Sequence, residues 1–329
     1  MASAFDPSGP FDVVHEDEVY ASPAVAALLA RIHRPRGAGD APLPALVDVH
    51  GGAWSLFDRR ADDTIARGLA ACGLVVVSID FRQGAEHPFP ASIRDVVAGV
   101  RFTRFHAERL GVAPDRIGII GGSSGGHLAL LAAVKPNAPE HQGTGFAGQD
   151  GRPVDARVGF VLALWPIADP LARYRYLLGR RGEPASARRN TLFDPERLIA
   201  GHEGHFRDEE TMRRVSLTEI LTAGEHEELP PIWVAHPELD ENVTVPMTER
   251  FVDAYRRAGG EAELEHFAGV GHAFANFPGE AADRGSRCEV RRQGVGRCRR
   301  DLLGHLQRQV RWSVRRWREG RHGRQRWRR

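Results

Sequence analysis

Apolar runs of five to eight residues alternate along the chain with segments whose apolar positions recur at helical spacing. The runs are apolar almost throughout, as expected of strands that are buried on both faces. Strands of this kind separated by helices predict an α/β fold, in which helices cover both faces of a mostly parallel sheet. The predicted strands are residues 44–50, 74–80, 116–120, 158–165, 231–236 and 262–267, and the predicted helices are residues 64–72, 91–110, 126–134 and 246–258.

Four stretches fall outside this alternation. Residues 13–20 and 28–33 are strand-like, and we expect them to add antiparallel strands at the edge of the sheet. Residues 137–157 are rich in glycine, proline and glutamine, which indicates a loop. Residues 168–228 carry charges and helical patterns but no strong strand, and a long insertion between two sheet strands is a natural place for a cap over a site.

The charge of the chain is unevenly distributed. Its 329 residues, 42% of them apolar, suffice for a large core, and the net charge is only +2. Residues 284–329 nevertheless contain 17 arginines against three acidic residues, which leaves 28 basic and 40 acidic residues in 1–283. An acidic body is unsuited to binding nucleic acid through its phosphates, so we expect no nucleic-acid partner for that part of the chain.

The Arg-rich C-terminal extension, residues 284–329, admits several hypotheses. Its apolar residues recur at near-helical spacing, which would give a basic amphipathic helix able to bind an anionic membrane or nucleic acid. A disordered extension and a non-native terminus are two simpler hypotheses for the same residues. The apolar positions are Leu303, Leu306, Val310, Val314 and Trp317.

Targeting and metal-binding signals are absent from the sequence. No stretch approaches ~18 uncharged apolar residues, and the N-terminus lacks a basic segment followed by an apolar one, which predicts a cytoplasmic protein without a transmembrane segment. The three cysteines offer neither a disulfide framework nor a CxxC metal site, and Cys72, in an apolar run, is interpreted as a core residue. We expect no metal and no cofactor.

Residues 119–129 read IIGGSSGGHLA, a strand followed by a glycine-rich turn and a helix. This is the context of a G-x-S-x-G nucleophile elbow, in which a strained turn exposes a serine at the N-terminus of a helix. The amides of that helix face the centre at which negative charge develops. The motif fits in two registers, with Ser123 or Ser124 as the nucleophile, and an ordinary glycine-rich turn is the competing interpretation.

A base and an acid are expected downstream of the serine, in the order acid and then histidine. His272 lies on a glycine-flanked loop after the last predicted strand, where a neutral imidazole can take the serine proton. Three carboxylates, Glu238, Asp240 and Glu241, crowd the loop after the preceding strand. We assign Asp240 as the acid that fixes the tautomer of His272, and we interpret the other two as solvated charges.

A glycine-containing segment that follows the first buried strand predicts an oxyanion hole. Residues 50–54 read HGGAW, and glycine allows the backbone to approach a substrate carbonyl closely. We assign the backbone N–H groups of Gly52, Ala53 and Ser124 as the donors to the oxyanion. His50 is expected to order the loop through hydrogen bonds and not to act as a base.

At this point the chain resembles the hormone-sensitive-lipase-like carboxylesterases of the α/β-hydrolase superfamily, over about residues 10–280. Residues 50–54 are similar to the family's H-G-G-G/A-W segment. Residues 80–91, DFRQGAEHPFPA, are similar to its D-Y-R-L-A-P-E-H-P-F-P-A stretch. Residues 121–129 resemble G-D-S-A-G-G-N-L-A, which places the nucleophile at Ser123.

The resemblance extends to the acid and base loops, where Asp240 and residues 271–274, GHAF, match the family. It implies an α/β-hydrolase fold, with a mostly parallel central sheet flanked by helices and a helical cap. The hydrolase domain would span residues 1–283, and the cap would be built from about residues 1–40 and 168–228.

Three aromatic residues, Trp54, Trp165 and Phe274, are candidates for lining an apolar substrate pocket near Ser123. Core packing is the competing interpretation for each of them.

The leading functional hypothesis is therefore a serine carboxylic-ester hydrolase that acts on small to medium acyl esters without a cofactor. Its partner would be a small-molecule ester substrate. Amide or formamide hydrolysis on the same residues, and a non-catalytic member that binds a ligand or nucleic acid, are the alternatives. The sequence leaves the oligomeric state open, with a homodimer as one option.

Overall fold

The computed structural model describes most of the chain before the Arg-rich extension and a few residues within it. The described residues are 11–23, 27–143, 145–148, 151–188, 193–276, 302, 304–306 and 308.

An eight-stranded sheet organises these residues. Its strands are β1 (Val13–Ala21), β2 (Leu28–Pro35), β3 (Leu43–Val49), β4 (Val75–Ile79), β5 (Val112–Gly122), β6 (Val161–Leu164), β7 (Ile232–Pro237) and β8 (Ala262–Phe267). They lie in the order β1-β2-β4-β3-β5-β6-β7-β8, with β2 antiparallel to both of its neighbours and all other pairs parallel. The predicted sheet, with antiparallel strands at its N-terminal edge, is confirmed.

The helices fill the intervals between the strands. They are α1 (Asp63–Ala70), α2 (Ala91–Phe105), α3 (Ala107–Leu110), α4 (Ser124–Val134), α5 (Pro170–Gly179), α6 (Pro195–Phe206), α7 (Glu209–Arg214), α8 (Leu217–Ala223) and α9 (Val245–Arg257).

The largest differences from the predicted bounds occur in three elements. Strand β6 spans only Val161–Leu164 of the predicted range 158–165. The single helix predicted over 91–110 is divided at His106, whose backbone (φ −96°, ψ 19°) leaves the helical region. Strand β5 begins at Val112, four residues before the predicted start, because Val112 pairs with Leu43 across an irregularity in the ladder.

The core lies on both faces of the sheet. Along β3, which is buried throughout, Ala45, Val47 and Val49 join the cluster that contains residues of α2 and α4. The intervening Leu46 joins a second cluster with residues of α1. Successive side chains of a strand point to opposite faces, so an unbroken apolar run needs a helical layer on each side.

The insertion at residues 168–228 is helical, as predicted, and forms α5 to α8. All four helices begin with a side chain that accepts a hydrogen bond from the backbone N–H three residues later, which satisfies one of the free donors at the helix start. These N-terminal capping residues are Asp169, Asp194, Asp208 and Ser216.

Several predictions about the chain ends concern residues outside the described part. Residues 13–21 and 28–35 form strands β1 and β2 of the sheet, and residues 1–10 lie outside the described residues, so the N-terminal share of the cap stays a prediction. Most of the Arg-rich extension also lies outside them. Its described part includes Leu302 and Leu306, which are helical and fully buried against the second core cluster. The hypotheses for the remainder of the extension stay open.

Every helix described here falls short of the length or apolar character required to cross a bilayer. Cys72 is buried, in agreement with its interpretation as a core residue.

Candidate active site

The glycine-rich turn between β5 and α4 holds Ser123 in a conformation that non-glycine residues rarely adopt (φ 55°, ψ −119°). The turn is fixed from both sides. The Ser123 N–H donates to the carbonyl of Leu164 at 2.9 Å, and the Ser123 carbonyl accepts the N–H groups of His127 and Ile167, each at 3.1 Å. The strain is thus held by bonds to the end of β6 and to the chain that follows it, as expected for a nucleophile elbow.

The glycines of this turn are required by close backbone contacts. A Cβ atom on Gly125 would lie 2.0 Å from the carbonyl oxygen of Val49, and one on Gly121 would lie 2.5 Å from the carbonyl oxygen of Gly125. Real Cβ atoms do not approach so closely, so the sequence needs glycine at both positions to bring the elbow against the end of β3.

The structure brings together the three side chains predicted from separate loops. Ser123 Oγ lies 2.9 Å from Nε2 of His272, and Nδ1 of the same ring lies 2.8 Å from Oδ2 of Asp240. All three residues are buried. The carboxylate accepts the Nδ1–H, which leaves Nε2 unprotonated and able to accept the serine hydroxyl proton.

The carboxyl group of Asp240 is itself held in place by the backbone. Its Oδ1 accepts the N–H groups of Asn242 at 2.7 Å and Val243 at 2.9 Å. The two neighbouring acids are engaged elsewhere, since Glu238 accepts the N–H of Gly269 at 3.0 Å and Glu241 forms an ion pair at 3.4 Å. The structure therefore places Asp240, and neither glutamate, against the histidine ring.

Ser124, the alternative nucleophile, has a different environment. Its side chain is fully buried, and its Oγ has no hydrogen-bond partner among the described residues. The backbone of Ser124 begins α4, directly after Ser123. Its hydroxyl therefore forms no hydrogen bond with the relay, whereas its amide lies at the start of the helix, where the oxyanion hole was predicted.

The segment that follows β3 turns sharply beside the serine. Gly52 (φ 117°) and Ala53 (φ 53°) both have positive φ angles, and the Gly52 carbonyl accepts the N–H groups of Ser55 and Leu56. The N–H groups of Gly52, Ala53 and Ser124 donate to no protein acceptor within the described part of the chain. Free amides at such a turn are the donors that a developing oxyanion needs.

His50 supports this loop from below. Its Nδ1 lies 2.7 Å from the carbonyl oxygen of Gly51, and its ring stacks on Phe81 with centroids 4.3 Å apart. Burial lowers the pKa of His50, which favours the neutral ring. These contacts agree with the predicted role as a positioning residue.

A cavity opens above the serine, with an empty volume of about 660 Å³ that includes open solvent. Its wall includes Ser123, His272 and Trp165 from the sheet side, and Arg173 and Leu198 from helices α5 and α6. The insertion therefore contributes to the cavity that contains the serine.

Two of the three aromatic residues predicted to line this cavity do not line it. Trp54 is fully buried, stacked on His205 with centroids 5.6 Å apart and edge-on to Phe206 at 4.8 Å. Phe274 is also fully buried and packs against Trp165 at 5.1 Å. Their rings are enclosed by aromatic neighbours from other segments, so core packing is the correct interpretation for both. Trp165 lines the cavity as predicted.

Several polar residues of the cavity wall were not predicted from the sequence. Asn242 follows Asp240 by two residues, and this short D-x-N spacing is a local signal for a carboxylate that accepts backbone N–H groups. Arg173 lies in a helix with three other charged or aromatic residues, and nothing in its local sequence distinguishes it. Asp62 precedes α1 and lines the same cavity.

Asp62 has unusual electrostatics. Its carboxyl group is hydrogen-bonded to that of Asp48, and burial raises the pKa of Asp62 to about 6 and that of Asp48 well above its ordinary value. Two adjacent buried carboxyl groups favour sharing a proton over carrying two negative charges. Across the described residues, no group of three or more His, Cys, Asp or Glu side chains is arranged to hold a metal ion.

Comparisons with known proteins give a family and several relatives for this chain. The family model described as BD-FAE matches residues 31–254. Esterase LipC of Mycobacterium tuberculosis is 30% identical over 238 residues, which cover 71% of this chain and 53% of LipC. Carboxylesterase NlhH of the same organism is 41% identical over 92 residues, covering 28% of this chain and 29% of NlhH. The chain thus spans about half of the first relative and less than a third of the second.

Solved structures share the fold. A hyperthermophilic esterase from Pyrobaculum calidifontis superposes with a TM-score of 0.67 at 22% identity, covering 91% of this chain and 85% of that one. A thermophilic esterase from Thermogutta terrifontis gives a TM-score of 0.60 at 23% identity, covering 89% and 94%. These similarities confirm the predicted α/β-hydrolase fold.

Proposed function

We propose that this chain, which belongs to the BD-FAE family and shares the fold of the hormone-sensitive-lipase-like carboxylesterases, is a serine carboxylic-ester hydrolase. Ser123 would be its nucleophile, His272 its base and Asp240 the acid that orients the base. The observation that carries the proposal is the continuous pair of contacts, 2.9 Å and 2.8 Å, that links the serine through the ring to the carboxylate. The names of the relatives, esterase and carboxylesterase, support the same reaction.

In the first half of the reaction, Ser123 Oγ attacks the ester carbonyl while Nε2 of His272 takes the hydroxyl proton. The carbonyl oxygen becomes an oxyanion, which the amides of Gly52, Ala53 and Ser124 stabilise. One such donor is typically worth roughly 3–4 kcal/mol in the transition state. The C–O bond to the alcohol then breaks, the alcohol leaves with the proton held by His272, and the acyl group remains on the serine.

In the second half, water replaces the alcohol. The water oxygen attacks the acyl carbon while His272 takes a proton from the water, and the same amides stabilise the second oxyanion. The bond to Ser123 Oγ breaks, the serine regains its proton and the carboxylic acid leaves. Asp240 accepts the Nδ1–H throughout and stabilises the positive charge that the ring carries between the two proton transfers.

Small to medium acyl groups are the proposed substrates. The cavity is bounded by the helices of the insertion, and Leu198 and Trp165 contribute apolar wall beside the serine. Structures of the Thermogutta terrifontis esterase carry propionate and butyrate, which supports short acyl chains for a chain of the same fold.

The decisive experiment compares Ser123→Ala with Ser124→Ala in p-nitrophenyl butyrate hydrolysis. Loss of the nucleophile lowers kcat by ~10⁴-fold or more in enzymes with this relay. Ser124→Ala keeps the backbone N–H and removes an unbonded hydroxyl, so its loss should be at least a thousandfold smaller. A fluorophosphonate adduct is expected on Ser123 by mass spectrometry. The opposite ranking, or labelling of Ser124, would overturn the assignment, and faster turnover of the matching amide would favour an amidase.

A further inference from the structure

Arg173, in helix α5, lines the cavity that contains Ser123. Its side chain is almost fully buried, at 1% exposure. Three of its N–H groups have protein partners. Nε donates to the carbonyl of Asn242 at 3.0 Å, Nη2 donates to the Asn242 side-chain oxygen, and Nη1 lies 3.4 Å from Nε2 of His202.

These partners are all neutral. Within the described residues, no carboxylate oxygen lies within the 4.0 Å of an ion pair from the Arg173 guanidinium. Nδ1 of His202 lies 2.8 Å from the carbonyl of Leu198, and donation there leaves Nε2 as the acceptor for the arginine. A guanidinium carries five N–H donors, so one donor remains on each of Nη1 and Nη2.

A second positive charge lies nearby. Arg197, in α6, lines the same cavity, and its charge acts to lower the pKa of Arg173. Burial is the largest cause and brings the pKa of Arg173 to about 9, whereas the negative charge of Asp240 acts to raise it. A buried cation whose direct hydrogen-bond partners are all neutral is costly, and a like charge nearby adds to the cost. An anion in the cavity would relieve both contributions.

We infer that the cavity accepts esters that carry a second, negatively charged group such as a carboxylate, and that Arg173 binds this group with its two remaining N–H donors. The inference rests on the proposed ester hydrolysis and specifies its substrate class. Two N–H groups on adjacent nitrogens match the two oxygens of a carboxylate. The charged group can belong to the acyl part or to the alcohol part of the ester, and both are tested below.

A purely structural role for Arg173 predicts a different effect of its loss on charged and neutral esters than substrate binding does. Arg173 binds the carbonyl of Asn242, whose N–H donates to Asp240 at 2.7 Å, so the arginine also supports the acid loop. If this support were its whole role, its loss would slow charged and neutral esters by the same factor. The ratio of kcat/KM for a charged ester to that for its neutral analogue therefore separates the two roles.

The experiment measures this ratio in two arms on the full chain. In the acyl arm, mono-p-nitrophenyl adipate is compared with p-nitrophenyl methyl adipate, after subtraction of spontaneous hydrolysis. In the alcohol arm, the butyrate ester of 4-hydroxybenzoate is compared with that of 4-hydroxybenzamide. We expect a preference of about 10–100-fold for the charged ester in one arm, as for a hydrogen-bonded charge pair. Arg173→Gln should abolish that preference, and Arg173→Lys should retain part of it.

The chain offers a matched control for the loss of a buried arginine. Arg101 is 2% exposed, and its Nε and Nη2 bind a backbone carbonyl and the side-chain oxygen of Asn137, but it is outside the cavity wall. Arg101→Gln should leave the charged-to-neutral ratio unchanged. Arg197→Gln, at an exposed position, should lower the ratio severalfold and remains informative if Arg173→Gln fails to fold.

Adipate itself gives a readout that does not require turnover. It should raise the melting temperature of the wild type and of Ser123→Ala, but not that of Arg173→Gln. The inference is overturned if the wild type shows no preference in either arm, if Arg173→Gln lowers both esters equally, or if adipate stabilises none of the proteins. Ser123-dependent hydrolysis of the neutral esters would then leave the proposed function standing, whereas absence of all hydrolysis would count against that function alone.

Discussion

Replacement of Asp240 by asparagine tests the proposed relay, because the structure dictates how the new side chain must lie. Oδ1 of Asp240 accepts the N–H groups of Asn242 and Val243, at 2.7 and 2.9 Å, and Oδ2 faces Nδ1 of His272 at 2.8 Å. The amide oxygen must stay on the two backbone donors, so its NH₂ group faces the ring. Nδ1 then has to accept, the ring proton moves to Nε2, and Nε2 can no longer take the proton of Ser123.

The size of the effect follows from these bonds. A reversed amide would lose two hydrogen bonds to the backbone, each worth about 0.5–1.5 kcal/mol, and would set donors against donors. The inactive tautomer is therefore strongly favoured. In a protease with the same relay, the corresponding Asp→Asn substitution and its wrong histidine tautomer lower kcat by roughly 10⁴-fold. This is equivalent to about 5.5 kcal/mol in the activation barrier. Because Asp240→Asn keeps the backbone bonds, the free energy of unfolding should change by less than about 1 kcal/mol.

The assay is kcat/KM for p-nitrophenyl butyrate, with the melting temperature recorded for each variant. Glu238→Gln is the matched control, since Glu238 lies in the same loop and accepts one N–H, from Gly269, that a glutamine oxygen can also accept. We expect the control to stay within about twofold of the wild type. Activity of Asp240→Asn within tenfold of the wild type, at unchanged stability, would refute the assigned role, and equal losses in both variants would point to loop disruption.

Three further predictions concern stability. Gly125→Ala should lower the free energy of unfolding by several kcal/mol, because its Cβ would lie 2.0 Å from the carbonyl oxygen of Val49. Gly179→Ala has no atom within 4 Å of its Cβ and should instead raise this free energy, measured by urea unfolding, by up to about 1 kcal/mol. Burial lowers the pKa of His205 to about 3. The unfolded chain therefore takes up the proton first as pH falls below about 6.5, which lowers the free energy of unfolding. Between pH 7 and 5 this free energy should fall by about 2 kcal/mol more in the wild type than in His205→Phe. Equal decreases in the two proteins would contradict this. Leu306→Ala should lower the free energy of unfolding by about 2–5 kcal/mol, because this residue is fully buried in the core. An unchanged unfolding midpoint would show that Leu306 does not belong to the core.

Local sequence patterns were sufficient to predict the bounds of strands whose environment is uniform along their length. Strand β8 has the predicted bounds, and β3, buried on both faces, is displaced by one residue. The errors occur where distant residues decide the outcome. Strand β5 starts early because Val112 finds Leu43 as a partner, and this pairing lies outside any local window of sequence.

The residues of the candidate site also divide into those predicted from local sequence signals and those whose position depends on distant residues. The glycines around Ser123 and the strand ends before Asp240 and His272 are local signals, and the structure brings these three side chains together. Trp54 and Phe274 were misassigned because an aromatic residue beside a motif can line a cavity or fill the core. Which of the two occurs depends on residues far along the chain, such as those of α6 around Trp54.

The packing of Trp54 also indicates how substitutions in the insertion should act. Trp54 directly follows the amides proposed for the oxyanion hole, and its ring packs against His127 of α4 as well as His205 and Phe206 of α6. Changes that loosen this packing alter the position of the amides, which every ester uses, so they should lower kcat for charged and neutral esters alike. Under the inferred substrate class, Arg173 would bind only the charged group of an ester. Selectivity would then reside in the helices of the insertion and the shared chemistry in the loops at the ends of the strands, and the charged-to-neutral ratio would distinguish the two classes of substitution.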